Sequence, residues 1–158
     1  MAVKTNVMRV LDKAKVNYEV TAYDVSDGKL DGKTVAAKIQ KPVEQVFKTL
    51  VTVGHSKSHY VFMIPVEEEL DLKKASKAVN EKSIEMIQQK DLLKLTGYVH
   101  GGCSPIGMKK LFKTIVHQSA SDLEVITFSA GKVGFQVTVS PNVLVELVDA
   151  TFADLIKG

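Results

Sequence analysis

The chain has 158 residues, of which 45% are hydrophobic, a formal net charge of +3 and a single cysteine. This length predicts one domain over residues 1–158 with a core of its own, and the lone cysteine excludes an internal disulfide or a zinc site built from several cysteines. No apolar run approaches the roughly 20 residues that cross a bilayer, and no basic segment followed by an apolar stretch begins the chain, so we expect a cytoplasmic protein without a membrane partner.

The first half of the chain is predicted to alternate between helices and strands. Valine and leucine recur at helical spacing near the start, and β-rich runs flank a polar turn around Gly54. In chain order we expect a helix at 3–16, a strand at 18–23, a short helix at 34–40, and a hairpin of strands at 47–53 and 60–65.

The second half is richer in strands. Asp71 is placed to cap a helix, and Pro141 suits the first turn of a closing helix. Short hairpins among irregularly spaced helices predict an α+β fold with a mixed, mostly antiparallel sheet and helices packed around it. Between the two helices we expect a short helix at 91–95 and strands at 113–117, 124–129 and 134–139, the last two forming a hairpin.

A glycine-rich loop at 96–107 interrupts this pattern, with four glycines and one proline. Adjacent Gly101 and Gly102 let another molecule approach the backbone closely. Successive exposed amides in such a turn bind an anion or a polarised carbonyl oxygen. A long surface turn is the alternative, because glycine clusters are common in loops.

Lys48 lies inside an apolar run and is the most distinctive charged residue. In a strand it shares a face with Leu50, where a desolvated ammonium needs an anionic partner or has a lowered pKa. The alternative is an edge-strand lysine whose ammonium reaches water.

The histidines and hydroxyls form no recognisable hydrolase site. His55 and His59 have the spacing of metal ligands on a helix but flank a turn and have no third ligand nearby, so we expect no metal site. Cys103 in the glycine loop invites interpretation as a nucleophile. Ser104 and Ser129 have no evident base and are expected to hydrogen-bond a substrate's hydroxyl or amino groups.

Positive charge is concentrated in one segment. Residues 70–115 carry nine lysines and four acidic residues, a local charge of +5. Three of these lysines, Lys109, Lys110 and Lys113, directly follow the glycine loop. This excess suits a polyanionic partner, with a solvated lysine-rich face as the alternative.

Three motifs stand out by their order and spacing: Phe47-Lys48-Thr49-Leu50, Leu70-Asp71-Leu72-Lys73-Lys74, and Thr-Gly-Tyr-x-x-Gly-Gly-x-Ser-Pro-x-Gly at 96–107. Together they resemble the YbaK/EbsC family over nearly the whole chain. Members are stand-alone aminoacyl-tRNA editing domains, and the best known are Cys-tRNA(Pro) deacylases. The resemblance implies the fold of the editing domain associated with prolyl-tRNA synthetase, a curled, barrel-like sheet flanked by helices.

The resemblance also implies roles for individual residues. Lys48 matches the family's essential lysine and would hold the terminal ribose or a phosphate, while the amides of Gly101 and Gly102 would stabilise developing negative charge. The expected ligand is the acceptor end of aminoacyl-tRNA, with prolyl-tRNA synthetase as a partner and no metal or cofactor. Contacts to the substrate are expected from Tyr23, Thr49, Ser104, Ser129 and Gly131.

The family's reaction, as the resemblance implies it, needs no nucleophile from the protein. The thiol of the mischarged cysteine attacks its own ester carbonyl and releases the tRNA, and a preoriented thiol gains a large effective molarity. Cys103 occupies a position that is ordinarily aliphatic in the family, so we interpret it as a small buried apolar residue.

The match breaks at three positions near the expected pocket. Asp31 stands where the better-known members carry an aromatic residue, Val133 where they carry an arginine, and Gln136 where they carry an acid. These departures leave the amino acid open, with cysteine first and alanine and serine as alternatives. A non-catalytic tRNA- or protein-binding module is the competing function, and hydrolysis of small thioesters is a third.

Overall fold

Two β-sheets occupy the centre of the protein, and the computed structural model describes residues 3–158. The strands are β1 Glu19–Ala22, β2 Phe47–Gly54, β3 His59–Pro65, β4 Ile84–Met86, β5 Lys113–His117, β6 Ile126–Ser129, β7 Phe135–Val139 and β8 Thr151–Ala153. The α-helices are α1 Asn6–Lys13, α2 Gly32–Lys38, α3 Leu72–Ala78, α4 Gln89–Thr96 and α5 Pro141–Val148.

The larger sheet has the strand order β4-β2-β3-β5-β8, and the smaller sheet has the order β1-β7-β6. Pairing is antiparallel except between β3 and β5 and between β5 and β8, which are parallel. Both expected hairpins are present, β2–β3 and β6–β7. The predicted α+β fold with a mixed, mostly antiparallel arrangement is therefore confirmed.

A single curled, barrel-like sheet, which the resemblance implied, does not form within residues 3–158. Val46 and Thr127 form an isolated bridge between the two sheets, and neither sheet closes on itself. The chain enters β2 from a 3-10 turn at Val43–Gln45, so little extended backbone lies beside β6 before β2 pairs with β3.

The main core lies between α1, α5 and the smaller sheet. Val7 and Leu11 on α1 are fully buried and pack with Phe128 of β6, and each such side chain contributes about 1.5–3 kcal/mol. Thr5 caps the helix through its hydroxyl. α1 ends earlier than the predicted residue 16 because Lys15 adopts a φ of 57°.

A second core lies under α3, against the larger sheet. Phe62 and Ile64 of β3 are fully buried there. Asp71 caps α3 as predicted, its carboxylate accepting the amides of Lys73 and Lys74 at 3.0 Å. Among the described residues, no helix has the length and apolar character needed to span a membrane.

Candidate active site

A cleft of about 520 Å³ opens beside β2, near the junction of the two sheets. Its walls come from the start of α2, from residues 46–51, from the segment leading into α4 and from the glycine loop. Ser129 of β6 and Gln136 of β7 also line it. The cleft brings together five of the residues that were expected to act on or contact the substrate, Tyr23, Lys48, Thr49, Gly101 and Ser129.

Lys48 carries the most unusual charge in the cleft. It alternates with Thr49 along β2 and so shares a face with Leu50, which packs against Phe62. Burial lowers the pKa of the Lys48 ammonium below its usual value, and attraction from Glu69 and Glu68 offsets only part of this effect. No ion pair found within residues 3–158 includes Lys48. A half-buried cation of this kind favours an anionic or polar ligand group.

Three neutral polar side chains line the same cleft as Lys48. The Thr49 hydroxyl oxygen is buried and has no hydrogen-bond partner among the described residues. Ser129 accepts the amide of Gly131 at 3.1 Å, which leaves its own proton available to a ligand. Gln136 pairs with Ser129 in the β6–β7 ladder and is only 7% exposed. Because buried polar groups are normally hydrogen-bonded, this set favours a polar ligand.

The two adjacent glycines have different surroundings. Gly101 lines the cleft with a φ of 86°, a conformation that favours glycine. Gly102 is buried, and a Cβ atom there would lie 3.0 Å from the backbone nitrogen of Val133. Its amide donates to the carbonyl of Val99 at 3.0 Å. The Gly102 amide therefore does not fit its expected role toward a ligand, and Gly101 remains as the candidate donor.

Ser104 and Gly131 lie behind the walls of the cleft. Ser104 is fully buried, and its hydroxyl accepts the amide of Ile106 at 3.4 Å. A Cβ atom on Gly131 would come within 2.9 Å of Val7 and 3.0 Å of Tyr98. The expected substrate contacts of these two residues do not fit their positions, because protein packing fills the space around both.

The cleft holds no activated nucleophile among the described side chains. Burial raises the pKa of the Cys103 thiol to about 12, so this thiol is protonated at neutral pH. The single hydrogen bond found for the Ser129 hydroxyl is with the Gly131 amide, and the histidine that lines the cleft, His100, is exposed. Across residues 3–158, His, Cys, Asp and Glu side chains do not gather in groups of three that could hold a metal ion.

The three positions that depart from the family pattern lie at or beside the cleft. Asp31 caps α2, and its hydrogen bonds to Thr34 hold the pKa of its carboxyl below the usual value. A Cβ atom on Gly101 would lie 3.5 Å from the Val133 side chain, so Val133 packs over the glycine loop. Gln136 provides an uncharged amide on the wall. The cleft therefore has its acid at the start of α2.

Comparison with known proteins identifies the family. Residues 30–147 match the model of the aminoacyl-tRNA editing domain. This chain belongs to the aminoacyl-tRNA editing domain family. It is 42% identical over 152 residues to an Enterococcus faecalis V583 protein named as EbsC, a Cys-tRNA(Pro)/Cys-tRNA(Cys) deacylase, covering 96% of this chain and 93% of that protein. The predicted activity class, aminoacyl-tRNA deacylation, is confirmed at the level of the family.

Two solved structures share the fold of this chain. A protein described as a trans-editing enzyme for prolyl tRNA synthetase superposes with a TM-score of 0.85 at 22% identity, covering 99% of this chain and 100% of that one. A hypothetical protein superposes with a TM-score of 0.87 at 18% identity, covering 97% and 100%. At these identities the likeness establishes the fold of the editing domain.

Several residues of the cleft escaped sequence reasoning. Leu30, Met86, Gln89, Leu92 and His100 all line it. Leu30 and Met86 are large apolar residues that remain 36% and 47% exposed. No local pattern marks them, because they come from separate segments that meet only in the folded chain. His100 alone had a signal, its position directly before the glycine pair.

Proposed function

We propose that this protein is a trans-editing deacylase that cleaves the ester joining a mischarged cysteine to tRNA(Pro), acting in the cytoplasm as a single domain. Support for cysteine comes from the relative that shares 42% of its residues and is named as a Cys-tRNA deacylase. The observation that carries the mechanism is a cleft with a half-buried lysine and a cysteine whose pKa is about 12.

The reaction we propose uses the substrate's own thiol. The thiol sulfur bonds to the ester carbonyl carbon, the bond from that carbon to the ribose oxygen breaks, and the thiol proton passes to the ribose oxygen. The products are tRNA with a free terminal hydroxyl and a cysteine thiolactone, which water then opens to cysteine. Holding the thiol against the carbonyl supplies up to about 7–11 kcal/mol of the barrier reduction in favourable cases.

The residues of the cleft divide this work. The Gly101 amide faces the carbonyl oxygen, where negative charge develops. Lys48 holds the terminal ribose or a neighbouring phosphate. Thr49 and Ser129 offer hydroxyls, and the Gln136 amide receives the amino group of the cysteine. Tyr23 also lines the cleft.

Deacylation of a panel of charged tRNAs tests the proposal. We expect Cys-tRNA to be cleaved at least about 100-fold faster than Ser-tRNA, because a thiol ionises near pH 8.5 and is a far better nucleophile than an alcohol. Cys-tRNA whose thiol has been alkylated should be stable. Comparable rates for Ser-tRNA and Cys-tRNA, or undiminished cleavage of the alkylated ester, would contradict the substrate-thiol mechanism.

The same panel separates the alternative functions. A deacylase for alanine or serine would cleave those esters and leave the cysteine ester intact. Gln136 and Asp31, which differ from the residues of the better-known family members, would then account for the altered specificity. A non-catalytic binding module would bind tRNA and cleave none of the esters. The position of Lys48 in the cleft favours the enzyme.

A further inference from the structure

A second groove of about 550 Å³ runs beside the active-site cleft. Met86 and Ile87 line both cavities, so these two residues form a ridge between them. Met86 belongs to β4, the edge strand of the larger sheet, and remains 47% exposed. A ligand that fills the cleft and extends past this ridge therefore enters the groove.

α4 presents different chemistry to the two cavities. Gln89 and Leu92 line the cleft, whereas Lys90, Asp91 and Lys94 line the groove. The two lysines are one helical turn apart and are both exposed. The face of α4 that lines the groove therefore carries two exposed cations at a spacing that suits two points on one extended ligand.

The excess of positive charge lies next to the end of α4, just outside the lining of the groove. Glu85 and Asp91 also line the groove and balance the two lysines, so the formal charges of the lining residues sum to zero. Lys109 lies next to the end of α4, because its amide donates to the carbonyl of Thr96 at 3.0 Å and its side chain contacts Gly97. Lys110 follows it and is exposed. A polyanion that leaves the cleft toward the end of α4 would therefore come close to Lys109 and Lys110.

The groove also offers surfaces for planar rings. His59 lines it, and the His59 ring lies 5.5 Å from the ring of Phe112, centroid to centroid, at 52°. The exposed Met86 side chain adds an apolar surface at the ridge. Single-stranded nucleic acids bind where cations follow the backbone and rings stack on the bases, and this groove has both features.

We propose that this groove binds the unpaired nucleotides that precede the terminal adenosine of the tRNA, with their phosphates beside Lys90 and Lys94. The inference rests on the proposed function, since the aminoacyl ester must occupy the cleft while the remaining strand crosses the Met86–Ile87 ridge. The groove thereby recognises a single strand common to all acceptor ends and leaves the choice of amino acid to the cleft.

The test combines two variants with two RNA probes. The variant Lys90→Glu/Lys94→Glu reverses the charge of the two groove lysines, and Lys73→Glu/Lys77→Glu makes the same change on α3, which contributes no residue to the groove lining. The control is matched, because Lys77 and Lys94 each lie in the last turn of their helix. The probes are an uncharged acceptor-stem hairpin with its single-stranded 3′ end and the same hairpin without that end.

We expect the groove variant to bind the hairpin with the 3′ end at least about tenfold more weakly. The slope of its salt dependence should be shallower by about 0.7 for each phosphate that a lysine no longer neutralises. Binding of the blunt hairpin should be unchanged. The α3 control should bind both probes like the unmodified protein. Equal weakening for both probes, or for both variants, would overturn the proposal.

Catalysis separates this proposal from the proposed function. The groove variant should lose kcat/KM on full-length Cys-tRNA through KM, and should cleave cysteinyl-adenosine, which lacks the preceding nucleotides, at the unmodified rate. A loss of the same size on cysteinyl-adenosine would overturn the groove assignment. If the unmodified protein cleaves neither substrate, the proposed function fails, while the binding measurements still decide the groove.

Discussion

At the residue scale, Lys48 provides a positive charge in the cleft and lowers the stability of the fold. Its pKa in the folded chain lies below the usual value of 10.5 because of burial. The folded state therefore binds fewer protons than the unfolded state between the lowered pKa and 10.5, and stability rises as pH increases through that window. Below the window the buried ammonium reduces stability, which is typical of residues retained for function.

We expect Lys48→Met to separate these two effects. The variant should lose about 10- to 100-fold in kcat/KM, the value of a charged hydrogen bond. Its free energy of unfolding at pH 7 should stay equal or rise by up to about 2 kcal/mol, and this gain should shrink as pH approaches the usual lysine pKa. Denaturant unfolding measures the free energy of unfolding, and deacylation of Cys-tRNA measures kcat/KM. Lys41→Met, outside the cleft, is the control, and near-normal activity of Lys48→Met would remove Lys48 from the site.

The position of Cys103 in the cleft suggests a protein nucleophile, but the state of its thiol argues against that role. Cys103 lines the cleft, but burial raises the pKa of its thiol to about 12. We expect Cys103→Ala to keep its activity within about threefold, since a thiol with that pKa is not ionised at neutral pH and contributes no nucleophile. Single-turnover deacylation of Cys-tRNA measures this. An inactive but folded variant, with an unchanged melting temperature, would instead identify Cys103 as the nucleophile.

At the scale of elements, the glycine loop is a fixed structure. The Tyr98 hydroxyl donates to the carbonyl of Ile106 at 2.5 Å, and the Asn6 side chain donates to the carbonyl of Gly107 at 2.9 Å. Tyr98 itself is buried in the main core. The loop is thus attached to α1 and the core on one side, and it presents Gly101 to the cleft on the other. Rigid placement of a donor is what stabilisation of an oxyanion requires.

Gly102→Ala tests this attachment. The added Cβ would lie 3.0 Å from the Val133 nitrogen and 3.3 Å from the Lys132 carbonyl carbon, so backbone must move. We expect a loss of about 1–3 kcal/mol in the free energy of unfolding and a lower kcat, because the Gly101 amide moves with its neighbour. Gly28→Ala is the control, since its φ of 71° costs stability but nothing lies within 4 Å of the new atom. Unchanged kcat in Gly102→Ala would contradict the role of the loop.

Hairpins and helix caps were predictable from the sequence because their signals are local. Asp71 and the turn at Gly54 each act within a few residues of their position. β4 and β8 were missed, since each has three residues and lies at an edge of the larger sheet, where alternation is too short to detect. The parallel pairing of β5 with β3 and β8 joins distant segments, and only the folded core determines it.

The candidate site was predictable to a similar extent. Lys48 and Gly101 could be found because a charge in an apolar run and a glycine pair are unusual compositions. Gly102 packs against Lys132 and Val133, Gly131 packs against Val7 and Tyr98, and Ser104 is fully buried, and all three positions depend on tertiary packing. Residue type alone does not distinguish a glycine that faces a ligand from one that faces protein backbone.

At the scale of the whole molecule, the cleft exists because two sheets meet without merging. Strand β2 of the larger sheet contributes Lys48 to the cleft, and the smaller sheet contributes Ser129 and Gln136. The isolated bridge between Val46 and Thr127 joins the sheets beside the cleft. A continuous ladder between β2 and β6 would close this space with paired backbone, so the limited pairing between the sheets leaves room for a ligand.

The size of the molecule also limits how much of a tRNA it touches. A cleft of about 520 Å³ holds an amino acid and its terminal nucleoside, and a cleft of this size does not extend to the anticodon of the same tRNA.

We therefore expect the purified protein to cleave Cys-tRNA(Pro) and Cys-tRNA(Cys) with kcat/KM values within about tenfold of each other, since a tenfold difference in rate corresponds to only about 1.4 kcal/mol of transition-state stabilisation. If the protein works with prolyl-tRNA synthetase as proposed, adding the synthetase should favour Cys-tRNA(Pro), because the synthetase would supply recognition of the tRNA body. The measurement is initial deacylation rates for both tRNAs, with and without the synthetase. A preference of 100-fold or more by the protein alone would show that it reads the tRNA body itself.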